Sequence, residues 1–170
     1  KSARGSIADI LSAVQRIGQG ASELSRLARA RDDVEFELSK AVDVAIRMCE
    51  ELNSEVVVRV DDIILKGNMG KFSQAVTHLL INADEAMKGQ DVRKISIQTK
   101  PESGDRVELI IEDYGPGISE EHLAKILEPF YTTKEEEAGV GLGLSTARDV
   151  VEQLGGTLEI DSSPGRGTKI

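Results

Sequence analysis

The sequence predicts an α+β fold, a two-layer α/β sandwich with a mixed sheet and its helices on one face, preceded by a long helix. Segments that alternate as strands do are separated by segments with helical periodicity, which is the pattern of a layered domain. Two adjacent strand-like segments flank Asp61-Asp62 and predict a hairpin. With 170 residues, 39% of them hydrophobic, the chain can form one full domain and part of another.

The sequence pattern of residues 6–30 predicts one long helix. Its apolar residues recur at alternating spacings of three and four, as in a coiled-coil seam: Ile7, Ile10, Val14, Ile17, Ala21, Leu24 and Ala28. We interpret this segment as one helix of a bundle, although a helix packed on its own domain would show a similar stripe. Arg31-Asp32-Asp33 ends the pattern, so we predict a partial bundle over 1–31 and a globular domain over 32–170.

The globular domain is predicted to begin with a short strand. Val34, Phe36 and Leu38 alternate with glutamates, and Ser39 is the expected N-cap of a helix that runs to about Leu52. After this helix we predict strands at 55–60 and 63–66, a helix at 70–87, strands at 94–100 and 106–112, helices at 119–127 and 143–154, and a strand at 156–161.

Charge and composition exclude several classes of function. Residues 1–31 carry a net charge of +4 and the remaining 139 residues carry −13, so we expect no nucleic-acid partner for the globular domain. No apolar run approaches the roughly 20 residues of a membrane span, and no signal peptide opens the chain. We therefore expect no membrane contact by this segment and a cytoplasmic location, although the full-length protein could be membrane-anchored. The single Cys49 excludes an internal disulfide and a cysteine-rich zinc site. The sequence lacks an initial Met and stops in a predicted strand, so we expect it to be part of a longer protein.

Four short motifs follow one another in the second half of the chain. They are HLLINA at 78–83, DYGPG at 113–117, EPFYTTK at 128–134 and GVGLGLS at 139–145. His78 and Asn82 are one helical turn apart and share a face of the predicted helix at 70–87. The glycine spacing is neither a Rossmann motif nor a Walker P-loop, but glycines before a helix can expose N–H groups to an anion.

In this order the motifs resemble the N, G1, F and G2 boxes of the GHKL, or Bergerat, ATP-binding fold. They resemble most the catalytic domain of bacterial sensor histidine kinases, and their amino-acid sequences are similar to those of the nitrogen-regulation and dicarboxylate-sensor kinases. The resemblance implies ATP and Mg²⁺ as cofactors, with Asn82 as the metal ligand. It also implies that Asp113 accepts a hydrogen bond from adenine, while Gly115 and Gly117 allow the backbone to approach the base. A plain turn at a strand end would also explain DYGPG.

The resemblance extends to the other two motifs and to the last strand. It implies a nucleotide lid over 132–141, with Phe130 as an apolar anchor and Lys134 as a phosphate contact and candidate catalytic group. The further nucleotide-binding residues that it implies are Thr133, Gly139, Gly141, Leu142, Gly143 and Thr168.

Two residues depart from the family pattern. His78 stands where histidine kinases often have Asn and hydrolytic relatives have a general-base Glu. An imidazole can accept a proton near neutral pH, so His78 is a candidate base, or alternatively a partner of the metal site. Tyr114 replaces the Asn that commonly follows the adenine-binding Asp, so no metal or phosphate role is assigned to it.

The resemblance implies an ATP-dependent protein histidine kinase. The phosphoacceptor motif, His followed by an acidic residue and then Pro, is absent around both His78 and His122. We therefore expect the acceptor on an upstream bundle helix, a response-regulator receiver domain as partner, and a homodimeric full-length protein. The alternatives are an anti-sigma type protein serine kinase, a hydrolytic ATPase that uses His78 as base, and a binding module without catalysis.

Overall fold

The computed structural model describes residues 34–49, 52–104, 106–133 and 140–170. The predicted helix at 6–30 and the boundary after it lie outside these residues. The division into a bundle segment and a globular domain therefore stays a prediction.

The described residues form a mixed sheet and a layer of helices. The elements are β1 (Val34–Glu37), α1 (Leu38–Met48), β2 (Glu55–Arg59), β3 (Ile64–Gly67), α2 (Met69–Ala86), β4 (Lys94–Pro101), β5 (Val107–Asp113), α3 (Glu120–Leu123), α4 (Gly143–Gln153), β6 (Asp161–Ser162) and β7 (Thr168–Lys169). The main sheet has the order β2-β4-β5-β7-β6, with β2 parallel to β4 and the other neighbours antiparallel. A separate pair is formed by β1 and β3.

The core lies between the sheet and the central helix α2. Both α1 and α4 pack against α2, which in turn contacts β4 and β5. The side chains of Leu80 and Met87 on the helix side and of Ile95 and Ile97 on the sheet side are fully buried. The predicted two-layer α+β fold with a mixed sheet is thus confirmed.

The predicted hairpin around Asp61-Asp62 is wrong. β2 pairs in parallel with β4, with Val56 opposite Ile95, and β3 pairs with β1. The two aspartates form hydrogen bonds with different elements, Asp61 with β4 and Asp62 with α1. The backbone N–H of Asp61 donates to Thr99 Oγ1 at 2.9 Å, whereas Asp62 accepts from Ser39 at 2.7 Å. The Asp61-Asp62 segment therefore connects two strands that pair with different partners, β4 and β1, and it is not a hairpin turn.

Several element ends differ from the prediction because side chains have other partners. Ser39 does not cap α1, because the helix begins at Leu38 and its N-cap is Glu37. The Ser39 hydroxyl donates to Asp62 instead. α1 ends at Met48 instead of near Leu52, and α3 is a single turn. The predicted strand at 156–161 forms ladder pairs only at Asp161–Ser162, opposite β7.

Candidate functional site

A cavity of about 1010 Å³ opens between α2, the end of β5, α3 and the start of α4. Nine of the residues predicted from the motifs line it: His78, Asn82, Asp113, Gly117, Thr133, Gly141, Leu142, Gly143 and Thr168. Gly115 and Phe130 are not among the lining residues. Lys134 and Gly139 lie outside the described residues. Side chains that are separated by up to 90 positions in the sequence thus surround one space.

Helix α2 is fixed at both ends, which sets the position of His78 and Asn82. Its first turn is capped by Asn68, whose side chain accepts from the Lys71 N–H at 2.9 Å. Near its last turn the buried Asp84 pairs with Arg93 at 2.8 Å. Between these anchors, His78 and Asn82 face the cavity while the apolar face of the helix is buried in the core.

The start of α4 approaches α2 closely at Gly143. A Cβ atom at this position would lie 3.5 Å from His78 Cβ and 3.7 Å from Asn82 Nδ2. The side chains of His78 and Asn82 therefore flank a helix N-terminus, where backbone N–H groups favour anions. Among the described residues, His78 Nδ1 is buried without a hydrogen-bond partner. This end of the cavity combines an anion-favouring helix end with a neutral amide and an imidazole.

Asp113 forms the opposite end of the cavity, at the C-terminal end of β5. Its side chain is buried, and its Oδ1 accepts from the Gly115 N–H at 2.8 Å. The backbone and the hydroxyl of Thr168 also hydrogen-bond to this carboxylate. Burial raises the pKa of Asp113; the hydrogen bonds from Gly115 and Thr168 oppose the rise, and the nearby Glu112 charge adds to it. The result is an oriented, poorly solvated acceptor in the cavity wall.

Thr168 is held in turn by Ser162, a residue that the motifs did not indicate. The Ser162 hydroxyl lies 3.1 Å from Thr168 Oγ1, donates to the Gly167 carbonyl at 2.7 Å, and accepts from the Ile118 N–H at 2.9 Å. Ser162 therefore ties the start of the α3 region to the β6–β7 pair. No short-range sequence signal marks it, because Ile118 is 44 positions away.

Two glycines of the DYGPG motif allow close backbone contacts. Gly117 has φ 72°, and a Cβ there would overlap the carbonyl oxygen of Ser163. A Cβ at Gly115 would lie 2.8 Å from Asp113 Oδ1. Gly115 thus supports the Asp113 carboxylate through its N–H, and Gly117 brings the loop against the β6–β7 turn.

Phe130, the expected apolar anchor of the lid, is not part of the buried core. Its side chain is 69% exposed, and its backbone has φ 68°. The Phe130 N–H donates to the Gly141 carbonyl at 2.9 Å, and a Cβ at Gly141 would lie 2.6 Å from the Phe130 carbonyl carbon. Phe130 therefore acts through its backbone, which joins the two ends of the predicted lid.

The Asn82 end of the cavity contains one oxygen of the kind that binds Mg²⁺, the side-chain amide oxygen. The described residues contain no group of three His, Cys, Asp or Glu side chains able to hold a metal ion. Mg²⁺ at nucleotide sites keeps several waters and is bound by one or two protein oxygens together with phosphate oxygens. Asn82 would be the residue that holds such an ion, and the ion would neutralise phosphate charge.

The cavity wall also contains residues that the sequence analysis did not assign: Glu85, Ile118, Ser119, His122, Ile126, Val140 and Pro164. No helix within the described residues is both long and apolar enough to cross a membrane.

Residues 67–170 match the family of histidine kinase-, DNA gyrase B- and HSP90-like ATPases. The chain belongs to this family. The match covers all the motif residues and the cavity that they line, so the resemblance to the GHKL ATP-binding fold is confirmed. Within the ATPase family, the similar curated proteins are sensor histidine kinases.

Three relatives illustrate this similarity. The chain is 32% identical to the sensor kinase CckA of Brucella abortus over 96% of its own length. It is 30% identical over 91% of its length to the C4-dicarboxylate transport sensor protein DctB of Rhizobium meliloti, and 36% identical over 61% to the sensor histidine kinase ZraS of Escherichia coli K12. The chain spans 20%, 26% and 21% of these three proteins, respectively.

Solved structures agree with the fold assignment. The catalytic domain of histidine kinase ThkA superimposes with a TM-score of 0.67 at 29% identity, covering 80% of this chain and 92% of that domain. The mycobacterial sensor histidine kinase MprB superimposes with a TM-score of 0.71 at 24% identity, covering 81% and 93%. The second comparison supports the fold alone.

Proposed function

We propose that this chain binds Mg-ATP in the cavity and transfers the γ-phosphoryl group to a histidine on a helix bundle of the same protein. The observation that carries the proposal is the convergence of two different ends in one cavity. An oriented carboxylate, Asp113, stands at one end. At the other, His78 and Asn82 flank the N-terminus of α4.

The Asp113 end suits adenine. The exocyclic amine of adenine is a hydrogen-bond donor, whereas guanine has a carbonyl at the same position and would face the carboxylate with its oxygen. Thr168 and Gly115 already hold the Asp113 carboxylate in place, so little ordering is needed when the base binds. We infer a preference for adenine nucleotides from this acceptor.

The Gly143 end suits the triphosphate. The N-terminus of α4 offers backbone N–H groups, and Asn82 offers an amide oxygen as a ligand for the ion that neutralises phosphate charge. In the proposed reaction an acceptor imidazole nitrogen attacks the γ-phosphorus while the bond to the β-phosphate oxygen breaks and ADP leaves. Such transfers depend mainly on positioning and charge stabilisation, so no strong base is required.

The phosphoacceptor, the receiver-domain partner and dimerisation belong to this proposal as well. The similar proteins CckA, DctB and ZraS are named as sensor kinases or sensor proteins, and each is several times longer than this chain. The predicted bundle helix at 6–30 is the segment expected to adjoin the acceptor. We infer a two-component system in which a dimeric kinase phosphorylates its own bundle and then a response regulator.

One observation favours a second candidate function, ATP hydrolysis. His78 Nδ1 is buried and has no hydrogen-bond partner among the described residues, and the His78 ring lies beside Gly143. An imidazole in this position could accept a proton from a water that attacks the γ-phosphorus. Under this alternative His78→Ala would abolish phosphate release, whereas histidine phosphorylation of the bundle would not be observed.

Binding of an ATP analogue, with and without Mg²⁺, tests the site. We expect Asp113→Asn to weaken binding by about 10–100-fold, because hydrogen bonds to charged groups contribute about 1.5–3 kcal/mol. Asn82→Ala should remove mainly the gain in affinity that Mg²⁺ provides. Glu108→Gln is the matched control, since it neutralises a carboxylate of the same strand that does not line the cavity. Parent-like binding by both site variants would refute the proposed site.

The chemistry needs the full-length protein. Incubation with γ-labelled ATP should give a phosphoryl group that is labile in acid and stable in base, as expected for phosphohistidine. An acid-stable product would indicate a serine kinase. Release of inorganic phosphate without protein labelling would indicate hydrolysis.

A further inference from the structure

His122 is a cavity residue to which the sequence analysis assigned no role. The sequence contains two histidines, His78 and His122, and both line the same cavity. His122 lies on α3, and its Nδ1 is 2.6 Å from the hydroxyl oxygen of Tyr131, another residue of the cavity wall. The two rings are tilted by 50° with their centroids 6.2 Å apart. The pair therefore connects α3 to the segment that precedes the predicted lid.

This hydrogen bond orients the His122 ring, and the direction of the bond decides which ring nitrogen carries the proton. The Tyr131 hydroxyl can donate to Nδ1 or accept from Nδ1–H. When it donates, the proton of the neutral ring resides on Nε2, because the partner of one ring nitrogen decides the state of the other. This is the arrangement in which His122 Nε2–H is a donor.

The backbone of Tyr131 lies against Gly141, since a Cβ at Gly141 would lie 2.7 Å from the Tyr131 carbonyl oxygen. His122, Tyr131 and the Gly141–Gly143 segment line the same cavity. Among the described residues that line the cavity there are two carboxylates, Glu85 and Asp113, but no Lys or Arg. An imidazole N–H is well suited to a phosphate oxygen, and His122 and His78 are the two imidazoles of this cavity wall.

We propose that His122 Nε2–H donates a hydrogen bond to a polyphosphate oxygen of the bound nucleotide, with Tyr131 as the positioning residue. The proposal rests on the proposed nucleotide site and adds a binding residue to it. The ligand class is a nucleoside di- or triphosphate. Adenosine, which lacks phosphate, should not use this contact.

Three substitutions test the phosphate contact of His122 Nε2 separately from the positioning of the ring by Tyr131. In His122→Asn the amide reaches the place of Nδ1 and can still hydrogen-bond to Tyr131, but nothing replaces Nε2. In His122→Gln the longer amide reaches the place of Nε2 and can donate there. Tyr131→Phe removes only the hydroxyl. Ala124→Asn is the matched control, because it introduces the same side chain at an exposed position of the turn after α3 that does not line the cavity.

The measurement is calorimetric binding of ADP and of adenosine to each variant, with thermal unfolding to verify the fold. We expect His122→Asn to weaken ADP binding about tenfold, the loss of one hydrogen bond to a charged group, and adenosine binding less than twofold. His122→Gln should recover most of the ADP affinity. Tyr131→Phe should weaken ADP binding by a smaller factor, and Ala124→Asn should bind both ligands like the parent.

Each remaining result overturns the proposal in a distinguishable way. ADP binding by His122→Asn at the parental affinity would leave His122 with a structural role only. An equal loss for adenosine and ADP would place the contact at the base or sugar. If the parent binds neither ligand, the nucleotide site itself is refuted, together with this contact.

Discussion

The two ends of the cavity differ in how many of their polar groups already form hydrogen bonds within the protein. At the Asp113 end, the carboxylate, Thr168 and Ser162 form a closed set of hydrogen bonds between β5, β6 and β7. At the Gly143 end, a helix N-terminus lies beside His78 Nδ1, which has no hydrogen-bond partner in the described part of the chain. The Asp113 end is organised before a ligand binds. The Gly143 end has N–H groups and a ring nitrogen that can hydrogen-bond to a ligand. Substitutions at the first end should therefore affect stability and affinity together.

The largest expected effect comes from Gly117→Ala. The new Cβ would overlap the Ser163 carbonyl oxygen, and the backbone at φ 72° already costs a non-glycine residue about 1–2 kcal/mol. We expect a loss of more than about 3 kcal/mol in the free energy of unfolding, measured by chemical denaturation, together with loss of nucleotide binding.

Gly165→Ala is the control for backbone strain alone. Gly165 has φ 81°, but a Cβ there meets nothing within 4 Å. This variant should lose only about 1–2 kcal/mol. Equal losses for the two variants would mean that the close contact between Gly117 and Ser163 is unimportant.

A smaller effect is expected for Ser162→Ala. The change removes the acceptor of the Ile118 N–H and the donor to the Gly167 carbonyl. Because unsatisfied buried groups cost about 1–3 kcal/mol, we expect a destabilisation in this range and weaker binding of adenosine. Ser163→Ala, one residue further along, is the matched control. If Ser162→Ala changes stability without changing adenosine affinity, then Thr168 does not need Ser162 to orient Asp113.

The smallest effect concerns pH. The folded-state pKa of Asp113 is raised by burial above the ordinary value of 3.8, so this group favours the folded state below pH 3.8 and loses that contribution as the pH rises through its folded pKa. The parent should therefore lose stability relative to Asp113→Asn as the pH is raised from about 3.8, as measured by denaturation of both proteins. Glu120→Gln, at an exposed carboxylate, should show no such difference. A parent that instead gains stability relative to Asp113→Asn over this window would contradict the burial argument.

Local sequence patterns predicted much of the fold, and the resemblance of the four motifs to the GHKL boxes predicted many members of the candidate site. Helical spacing predicted that His78 and Asn82 share a face, and the apolar run before Asp113 predicted a strand end there; both are local relations. The pairing of β2 with β4 was not predictable, because strand partners depend on packing between distant segments. Ser162 and His122 were missed for the same reason, since their roles come from contacts with Ile118 and Tyr131. Phe130 is exposed and has a φ of 68°, and neither property follows from its residue type.

The hydrogen bond from the Phe130 N–H to the Gly141 carbonyl has a consequence for how such domains can diversify. It joins the chain at both sides of the predicted lid, so Phe130 and Gly141 stay together whatever the length of the chain between them. Doubling a loop whose ends are already held together costs only about 0.6 kcal/mol in closure entropy. Insertions in this segment are therefore expected to cost little stability, while Asp113 and Asn82 keep their places.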